Sequence, residues 1–330
     1  MVALGLFYTF LSGLANGLFT APMKIIPRWK WENIWLVFIV TACGVFPALM
    51  SLATLTDPAA VWHASPAGAR AAAIVFGGAW GFGAILFGMS VDRLGVSLAN
   101  SLVIGLSSAL GSLVPLALKG EFTIEARHAI LFAGVAVFLV GVWICGTAGR
   151  MRDASAPSAG APLAGYLFAI GSGVMSAVFN IGYSLALPIA DAGVRLGHSR
   201  FAATNFIWLL MLWPGAVPNI LFCGYLLRKN ATAMLFARSP FGKTWGLGML
   251  MGVLWGASIY LYGAATPLLG DIGPSIGWPL SLAVGLVVAN LMGALLGEWR
   301  AAPAAGRRMR IGIAVLLVAV VLCALSAKAS

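Results

Sequence analysis

Charge is scarce in this chain: Asp, Glu, Lys and Arg together make up only 9% of its 330 residues. Soluble domains carry about 25% charged residues, so a water-facing surface cannot be built and a cytosolic enzyme is excluded. Cysteine is scarce too, and its copies stand alone in apolar stretches without the spacing of a metal or redox site: Cys43, Cys145, Cys223 and Cys323. We therefore expect no disulfide scaffold, no metal and no cofactor.

Hydrophobic residues dominate instead, at 61%, and the 41 glycines suit membrane helices whose backbones approach closely. A helix needs about 20 apolar residues to cross a bilayer. No Lys or Arg precedes Lys24, so the first apolar stretch predicts a span and not a cleaved signal peptide. The sequence predicts ten spans, at 2–22, 34–55, 71–90, 96–118, 128–147, 163–189, 201–227, 243–263, 274–296 and 309–327.

The basic residues follow the loops between these spans. Of the 20 Lys and Arg residues, 14 fall in odd-numbered loops and five in even-numbered loops. Because cytoplasmic loops carry the excess of Lys and Arg, we expect the odd loops in the cytoplasm and both termini outside. The net charge of +11 thus reflects the orientation of the protein in the membrane, and nucleic acid is not expected as a partner.

The two halves of the chain match each other. Residues 5–19 align without a gap to 165–179, and residues 77–95 align to 252–270 with Trp80 opposite Trp255. The identities in the first match are Gly5/Gly165, Ser12/Ser172, Gly13/Gly173 and Phe19/Phe179. The chain therefore predicts a first five-helix repeat over 1–147, a linker rich in Ala, Ser, Gly and Pro over 148–162, and a second five-helix repeat over 163–330.

Five spans in each half is an odd number, so the two halves must be inverted in the membrane. We predict an all-α membrane protein with ten transmembrane helices arranged as two inverted five-helix repeats. Inverted repeats are typical of secondary transporters that bind substrate near the midplane between the repeats and work by alternating access. A membrane enzyme or a channel needs no such symmetry, and we expect neither.

Three motifs add a specific likeness. They are Trp29-Lys-Trp31-Glu32-Asn-Ile-Trp35, the Gly-Gly-Ala-Trp80-Gly81-Phe-Gly83 and Leu94-Gly95 pattern of the third span, and Gly297-Glu298-Trp299. With the ten-span layout they resemble the L-rhamnose–proton symporter family, part of the drug/metabolite transporter superfamily. The resemblance implies a multi-pass protein of the bacterial cytoplasmic membrane, in which the loop charges predict both termini on the periplasmic side. It further implies import of L-rhamnose with protons, with the lipid bilayer as surroundings and no obligate protein partner.

The lack of charged residues inside the predicted spans narrows the class of substrate. No acid lies at the middle of a predicted span, and no Lys or Arg lies in a span core. Cation exporters of the resembled superfamily depend on an embedded Glu in the first span, and phosphorylated sugars need basic groups. A neutral, hydroxyl-rich substrate remains, and the deoxyhexose that the resemblance implies is one. The alternative is an exporter or facilitated carrier of another small neutral metabolite, an amino acid or another sugar.

A sugar site needs aromatic faces for C–H surfaces and a few polar groups that fix its orientation. The candidates for substrate binding are Trp80, Trp255, Asn16, Asn180, Asn205, Trp208, Tyr260 and Asn290. Each amide has a competing explanation, because intramembrane Asn also bonds across helix interfaces. Trp80 and Trp255 lie inside Gly-x-x-x-Gly steps, where helix packing alone explains them equally well.

Proton coupling requires a group that titrates as the cavity changes sides. The best acids are Glu32, Asp271 and Glu298, of which Glu32 matches the pattern of the resembled family. Each again has a competing structural role: Glu32 as an acid at a helix N-terminus, Asp271 as an N-cap, and Glu298 as a partner of nearby arginines. The lack of a midspan acid keeps a facilitated carrier open.

Overall fold

The computed structural model describes residues 1–94, 96–120, 125–153, 163–239 and 242–329. Over these residues the secondary structure is helical, with no strand. The α-helices, numbered in chain order, are α1 Val2–Leu18, α2 Trp31–Ile39, α3 Phe46–Thr54, α4 Pro58–Ala64, α5 Ala67–Leu94, α6 Val96–Lys119, α7 Ala126–Asp153, α8 Leu163–Arg195, α9 Arg200–Lys229, α10 Met234–Arg238, α11 Lys243–Ala265, α12 Gly273–Leu295 and α13 Pro303–Ser326.

Three tighter or looser turns complete the helical stretches. The 3-10 turns Ala21–Ile25 and Thr266–Leu269 extend α1 and α11, and the π-helical turn Val40–Val45 joins α2 to α3. Gly270, with φ 86°, then lets the chain reverse into α12, because glycine has no Cβ to oppose that backbone conformation. Pro274 follows in the first turn of α12, where the missing N–H costs no hydrogen bond.

Ten helical stretches within the described residues are long and apolar enough to cross a membrane. They coincide with the ten predicted spans, which confirms the all-α membrane fold. The boundaries differ at one informative place, since α7 runs on to Asp153, inside the segment that composition predicts as a linker. The remainder of that linker, 154–162, lies outside the described residues.

The helices pack in pairs that relate the two halves of the chain. Helix α1 packs against α11 and α12, while α8, its counterpart in the predicted repeat, packs against α5 and α6. Likewise α5 packs against α9, and α11 against α2 and its π-helical turn. Helices α7 and α13 pack against each other. These are the pairs that an exchange of the two predicted repeats would generate, although the inverted repeat itself stays a prediction.

Matched glycines make matched contacts. A Cβ on Gly13 would lie 2.7 Å from the Ser281 carbonyl oxygen, and one on Gly173 would lie 3.2 Å from that of Val103. Each glycine thus brings its helix against one neighbour, α1 onto α12 and α8 onto α6, at a distance that a side chain would forbid. Close approach of this kind provides the packing that holds membrane helices together.

Candidate substrate-binding site

A cavity of about 140 Å³ lies halfway along the bundle, between α1, α5, α8, α11 and α12. Both predicted repeats therefore contribute helices to it. None of its lining residues carries a charged side chain; they are Ser12, Asn16, Trp80, Ser176, Phe179, Trp255, Ser258, Ile259, Tyr262, Trp278, Ser281 and Leu282. The position and the neutral lining are those of a site for an uncharged solute.

Aromatic rings form one wall of this cavity. The indoles of Trp80 and Trp255 stack with their ring centroids 5.3 Å apart and their planes at 15°. Phe179 lies beside Trp80 at 5.1 Å and beside Trp278 at 6.3 Å. This wall, hereafter the aromatic wall, presents flat apolar faces of the kind that cover the C–H surface of a sugar ring.

Polar groups collect elsewhere on the cavity surface. The Ser12 hydroxyl on α1 lies 2.9 Å from that of Ser281 on α12 and 3.3 Å from that of Ser258 on α11. Asn16 lies one turn further along α1, half-buried. Within the described part of the chain its amide makes no hydrogen bond, so that amide is available to a ligand.

Residues matched by the internal alignment meet at this cavity. Trp80 and Trp255 both line it, and so do Asn16 and Ser176, which occupy equivalent positions on α1 and α8. The cavity thus lies where the two predicted repeats face each other. Three of the predicted binding residues, Asn16, Trp80 and Trp255, are brought together here.

Asn180 stands behind the cavity and is fully buried. Its amide donates to the carbonyl oxygens of Gly111 (2.8 Å) and Pro274 (3.2 Å), and its oxygen accepts from the Tyr262 hydroxyl. One side chain thereby joins α8 to α6, α11 and α12. Its hydrogen-bonding capacity is used by the protein, and its contact with the cavity is indirect, through Tyr262.

The other predicted binding residues also lie outside the cavity lining. Asn205 donates to the Thr54 hydroxyl at 3.1 Å, and Asn290 donates to the Leu286 carbonyl oxygen of its own helix at 2.8 Å. Trp208 is fully buried and stacks on Tyr183 at 4.4 Å. Tyr260 packs edge-on against Phe46 at 5.2 Å. These contacts give Asn205, Trp208 and Tyr260 a role in helix packing, whereas Asn290 bonds within its own helix.

Several lining residues were not among the sequence candidates: Ser12, Ser176, Phe179, Ser258, Tyr262, Trp278 and Ser281. Serine and phenylalanine are common in membrane helices, so the residue type alone carries no signal. The internal alignment contained part of the missing signal, because Ser12 and Phe179 are among its identical residues and Ser176 is aligned with Asn16.

A sequence model of the family described as L-rhamnose-proton symport protein matches residues 1–329. The chain belongs to the L-rhamnose–proton symporter family. The likeness seen in the Trp-rich and Gly-rich motifs is therefore confirmed. The family is one of transporters, which also confirms that the chain is not an enzyme.

Curated relatives in this family match nearly end to end. The L-rhamnose-proton symporter of Klebsiella pneumoniae (strain 342) is 25% identical over 336 residues, and that of Cronobacter sakazakii (strain ATCC BAA-894) 26% over 333. The L-rhamnose-proton symporter of Escherichia coli (strain K12 / DH10B) is 25% identical over 334 residues. Each alignment covers 96% of this chain and 96% of the relative.

A solved crystal structure has the same fold. It superposes with a TM-score of 0.59 and 18% sequence identity, covering 99% of this chain and 96% of that chain. At this level of identity the likeness concerns the path of the helices and not the substrate.

In this member of the symporter family the predicted coupling acids lie away from the cavity lining. Glu298 pairs with Lys24, at the end of the first span, and with Arg152 of α7 at 2.8 Å. The Arg152 guanidinium also lies over the Trp299 ring, 4.8 Å from its centroid. Glu298 thus joins the ends of three spans on the side predicted to be cytoplasmic.

Glu32 and Asp271 have different surroundings. The Glu32 carboxylate is buried and accepts hydrogen bonds from Asn230 (3.0 Å) and Thr232 (2.7 Å) in the loop after α9. Asp271 is exposed, and its backbone oxygen accepts from Lys119 at 2.7 Å. Glu32 therefore fixes a loop, while Asp271 lies at the opposite end of the bundle.

Proposed function

We propose that the chain imports a neutral monosaccharide, L-rhamnose or a close 6-deoxyhexose, across the bacterial cytoplasmic membrane by alternating access. The observation that carries this proposal is the uncharged cavity between the two halves, with an aromatic wall and a cluster of hydroxyls. The relatives that share the whole chain length are named for L-rhamnose and protons, and this supports the choice of sugar.

The size of the cavity supports a ring-shaped solute. An engineered protein cavity of about 150 Å³ accommodates benzene, so about 140 Å³ gives room for one six-membered ring. The ring hydroxyls of a hexose need further space, and we propose that the cavity widens as one side opens. A charged solute would enter a site that offers it no counter-ion, and this carries a heavy desolvation penalty.

Two layers of side chains close the cavity and would have to separate in turn. Toward the predicted periplasmic side the Tyr183 hydroxyl bonds Thr266 at 2.6 Å, next to the bonds between Tyr262 and Asn180. Toward the predicted cytoplasmic side Trp255 stacks on Trp80 and meets Phe38 edge-on at 6.0 Å. Alternating access requires that these two layers not be open together.

Substitution of the matched tryptophans tests the site. We expect Trp80→Ala and Trp255→Ala each to weaken L-rhamnose binding to the purified protein by about tenfold or more, because an aromatic contact and its apolar area are lost. Isothermal titration and uptake into proteoliposomes measure this. Trp143→Ala is the matched control, since Trp143 is 62% exposed on the outer face of α7. Wild-type affinity in both cavity variants would refute the assignment, as would transport of neutral amino acids and of no sugar.

A facilitated carrier is the second candidate function. Among the described residues no Asp, Glu, His, Lys or Arg lines the cavity, so the lining lacks the residue types that most often exchange a proton near neutral pH. An imposed pH gradient across proteoliposomes separates the two. Accumulation of sugar above the external concentration indicates symport, whereas simple equilibration indicates a facilitated carrier.

If transport is proton-coupled, we propose Glu298 as the leading coupling residue, with Glu32 and Asp271 as the other two. Glu298 pairs with Lys24 at the end of the first span, and helix α1 of that span carries Ser12 and Asn16. A change in the contact between Glu298 and Lys24 would alter the access of Glu298 to protons. We expect Glu298→Gln to abolish accumulation driven by the pH gradient while leaving exchange of sugar across the membrane. Asp191→Asn is the control, because Asp191 pairs with Arg200 at the opposite end. Retained accumulation in Glu298→Gln would exclude Glu298.

A further inference from the structure

We infer that the hydroxyls of Ser12, Ser258 and Ser281 form the subsite that binds the ring hydroxyls of the sugar. This inference rests on the proposed function and assigns the polar contacts within that site. The three residues, hereafter the serine cluster, lie on α1, α11 and α12 and are all buried. They line the same cavity as the aromatic wall.

The serine cluster has hydrogen-bonding capacity to spare. Each serine offers one donor and two acceptor lone pairs, while within the described residues the hydroxyls of the cluster bond only as Ser12 to Ser281 and Ser12 to Ser258. The second of these, at 3.3 Å, is longer than the usual 2.7–2.8 Å of a bond between hydroxyls. A sugar hydroxyl inserted here would replace a weak bond by better ones, without leaving any serine unpaired.

Two other polar groups of the cavity lining are already engaged within the protein. The Tyr262 hydroxyl donates to Asn180, and the Trp278 ring N–H donates to the Ser107 carbonyl oxygen at 3.2 Å. The serine cluster and the neighbouring Asn16 amide are therefore the groups that a ligand can engage at the α1 side.

Comparison of the two halves shows that helix packing does not demand a serine at Ser258 or at Ser281. Three residues after the matched tryptophans, α11 has Ser258 where α5 has Gly83, and Gly83 lies against Ser172, the partner of Ser12. The Gly13 contact to the Ser281 backbone is repeated by Gly173 against Val103. The same helix crossings are thus made with Gly and Val in the first half. The serine cluster therefore lies at the cavity without being required by these helix crossings.

The chemistry of the subsite specifies its ligand class. Hydroxyls bind neutral donors and acceptors and offer nothing to a phosphate or carboxylate that water would not offer equally. Three hydroxyls from three helices suit neighbouring hydroxyl groups on one edge of a pyranose, while the aromatic wall covers a ring face. A site built to bond hydroxyls discriminates strongly against analogues that lack one, because its own polar groups are then left unpaired.

Alanine variants of the cluster test the inference. We expect Ser12→Ala and Ser281→Ala each to raise the Kd for L-rhamnose by roughly two- to twelvefold, the value of one hydrogen bond, measured by titration calorimetry on the purified protein. The matched control is Ser172→Ala, because Ser172 is equally buried and is the partner of Ser12 but does not line the cavity. Wild-type affinity in Ser12→Ala and Ser281→Ala would overturn the inference.

A second measurement separates contact with the sugar from an effect on folding. Monodeoxy analogues of L-rhamnose, each lacking one ring hydroxyl, are titrated against wild type and against the variants. We expect one analogue to bind the wild type more weakly than L-rhamnose does. The same analogue should bind Ser281→Ala no more weakly than L-rhamnose binds Ser281→Ala, because the sugar hydroxyl and the serine hydroxyl that are removed belong to one pair. Strict additivity for every analogue, or a loss of affinity that follows thermal stability and is shared by Ser172→Ala, would overturn the direct contact.

Failure of this inference differs from failure of the proposed function. If the wild-type protein neither binds nor transports L-rhamnose, the proposed function fails for that sugar. If the wild type does both and the serine variants match it, the function stands and only the serine subsite falls.

Discussion

At the scale of single residues, the asparagines of matched helices α1 and α8 play different parts. Asn180 is fully buried and uses its amide on three partners, whereas Asn16 faces the cavity with its amide unused within the described residues. In a bilayer an unsatisfied polar group has no water to bond, so each intramembrane amide needs either a protein partner or a solute. Asn180 has protein partners, whereas the Asn16 amide is left for a solute.

Asn180 should therefore matter for stability. We expect Asn180→Ala to lower the free energy of unfolding by about 1–3 kcal/mol, because Tyr262, Gly111 and Pro274 each lose a buried partner. Thermal unfolding of the detergent-purified protein measures this through the shift of its midpoint. Asn290→Ala is the matched control, since Asn290 is half-buried and bonds only its own helix. Equal midpoints for the two variants would contradict the role given to Asn180.

Individual residues of the cavity could be predicted best where the sequence repeats itself. Trp80 and Trp255 stand out because a bulky, costly residue recurs at equivalent places, and both line the cavity. Ser258 and Ser281 have no such copy, and their importance depends on which hydroxyls three separate helices bring together. Asn180 and Asn290 carry the same side chain as Asn16, and only the helix crossings decide which amide reaches the cavity.

At the scale of helices, bare glycines set the distance between neighbours. A Cβ on Gly77 of α5 would lie 2.2 Å from the Met211 carbonyl oxygen of α9, whereas one on Gly78 would meet nothing closer than Pro214 at 3.8 Å. These adjacent residues offer a direct comparison of two faces of one helix.

We expect Gly77→Ala to lower the free energy of unfolding by about 1–3 kcal/mol, because the added methyl group meets backbone that cannot yield without moving a helix. Gly78→Ala should be neutral or stabilising, since alanine favours helix over glycine. Thermal unfolding and the monodisperse fraction on size-exclusion chromatography give the readout. A larger loss in Gly78→Ala than in Gly77→Ala would contradict the packing described for α5 and α9.

The helices themselves follow from composition more directly than their ends do. Runs of apolar residues predict all ten spans, because the cost of burying charge in a bilayer fixes where a span can lie. The end of α7 was harder to predict, since the apolar run stops before Arg150 and Arg152. The helix continues because Arg152 finds partners in Glu298 and Trp299, which are far away in sequence. The π-helical turn Val40–Val45 likewise has no signature in hydropathy.

At the scale of the whole molecule, the loop charges predict which face is cytoplasmic. Arg195 and Arg228 lie at the ends of α8 and α9, exposed at opposite ends of the bundle. The native cysteines Cys43, Cys145, Cys223 and Cys323 are buried, so the wild-type chain is a suitable background.

We expect Arg195→Cys to react with a membrane-impermeant maleimide in intact cells and Arg228→Cys to react only after permeabilisation. The physical reason is the excess of Lys and Arg in the odd-numbered loops, which favours their retention in the cytoplasm. The unsubstituted chain gives the background labelling. The reverse pattern would place both termini in the cytoplasm.

The serine cluster makes the two ends of the cavity chemically different. Because Trp80 and Trp255 line it from matched positions in the two halves, a ring turned end over end would still meet this pair of indoles. Gly83 occupies the position equivalent to Ser258, and Val103 makes the backbone contact to Gly173 that Ser281 makes to Gly13, and neither residue brings a hydroxyl. The two orientations of the sugar ring, which would have equal energy in a symmetric cavity, therefore differ in energy. With the proposed sugar site, we expect each sugar molecule to keep one orientation throughout its passage.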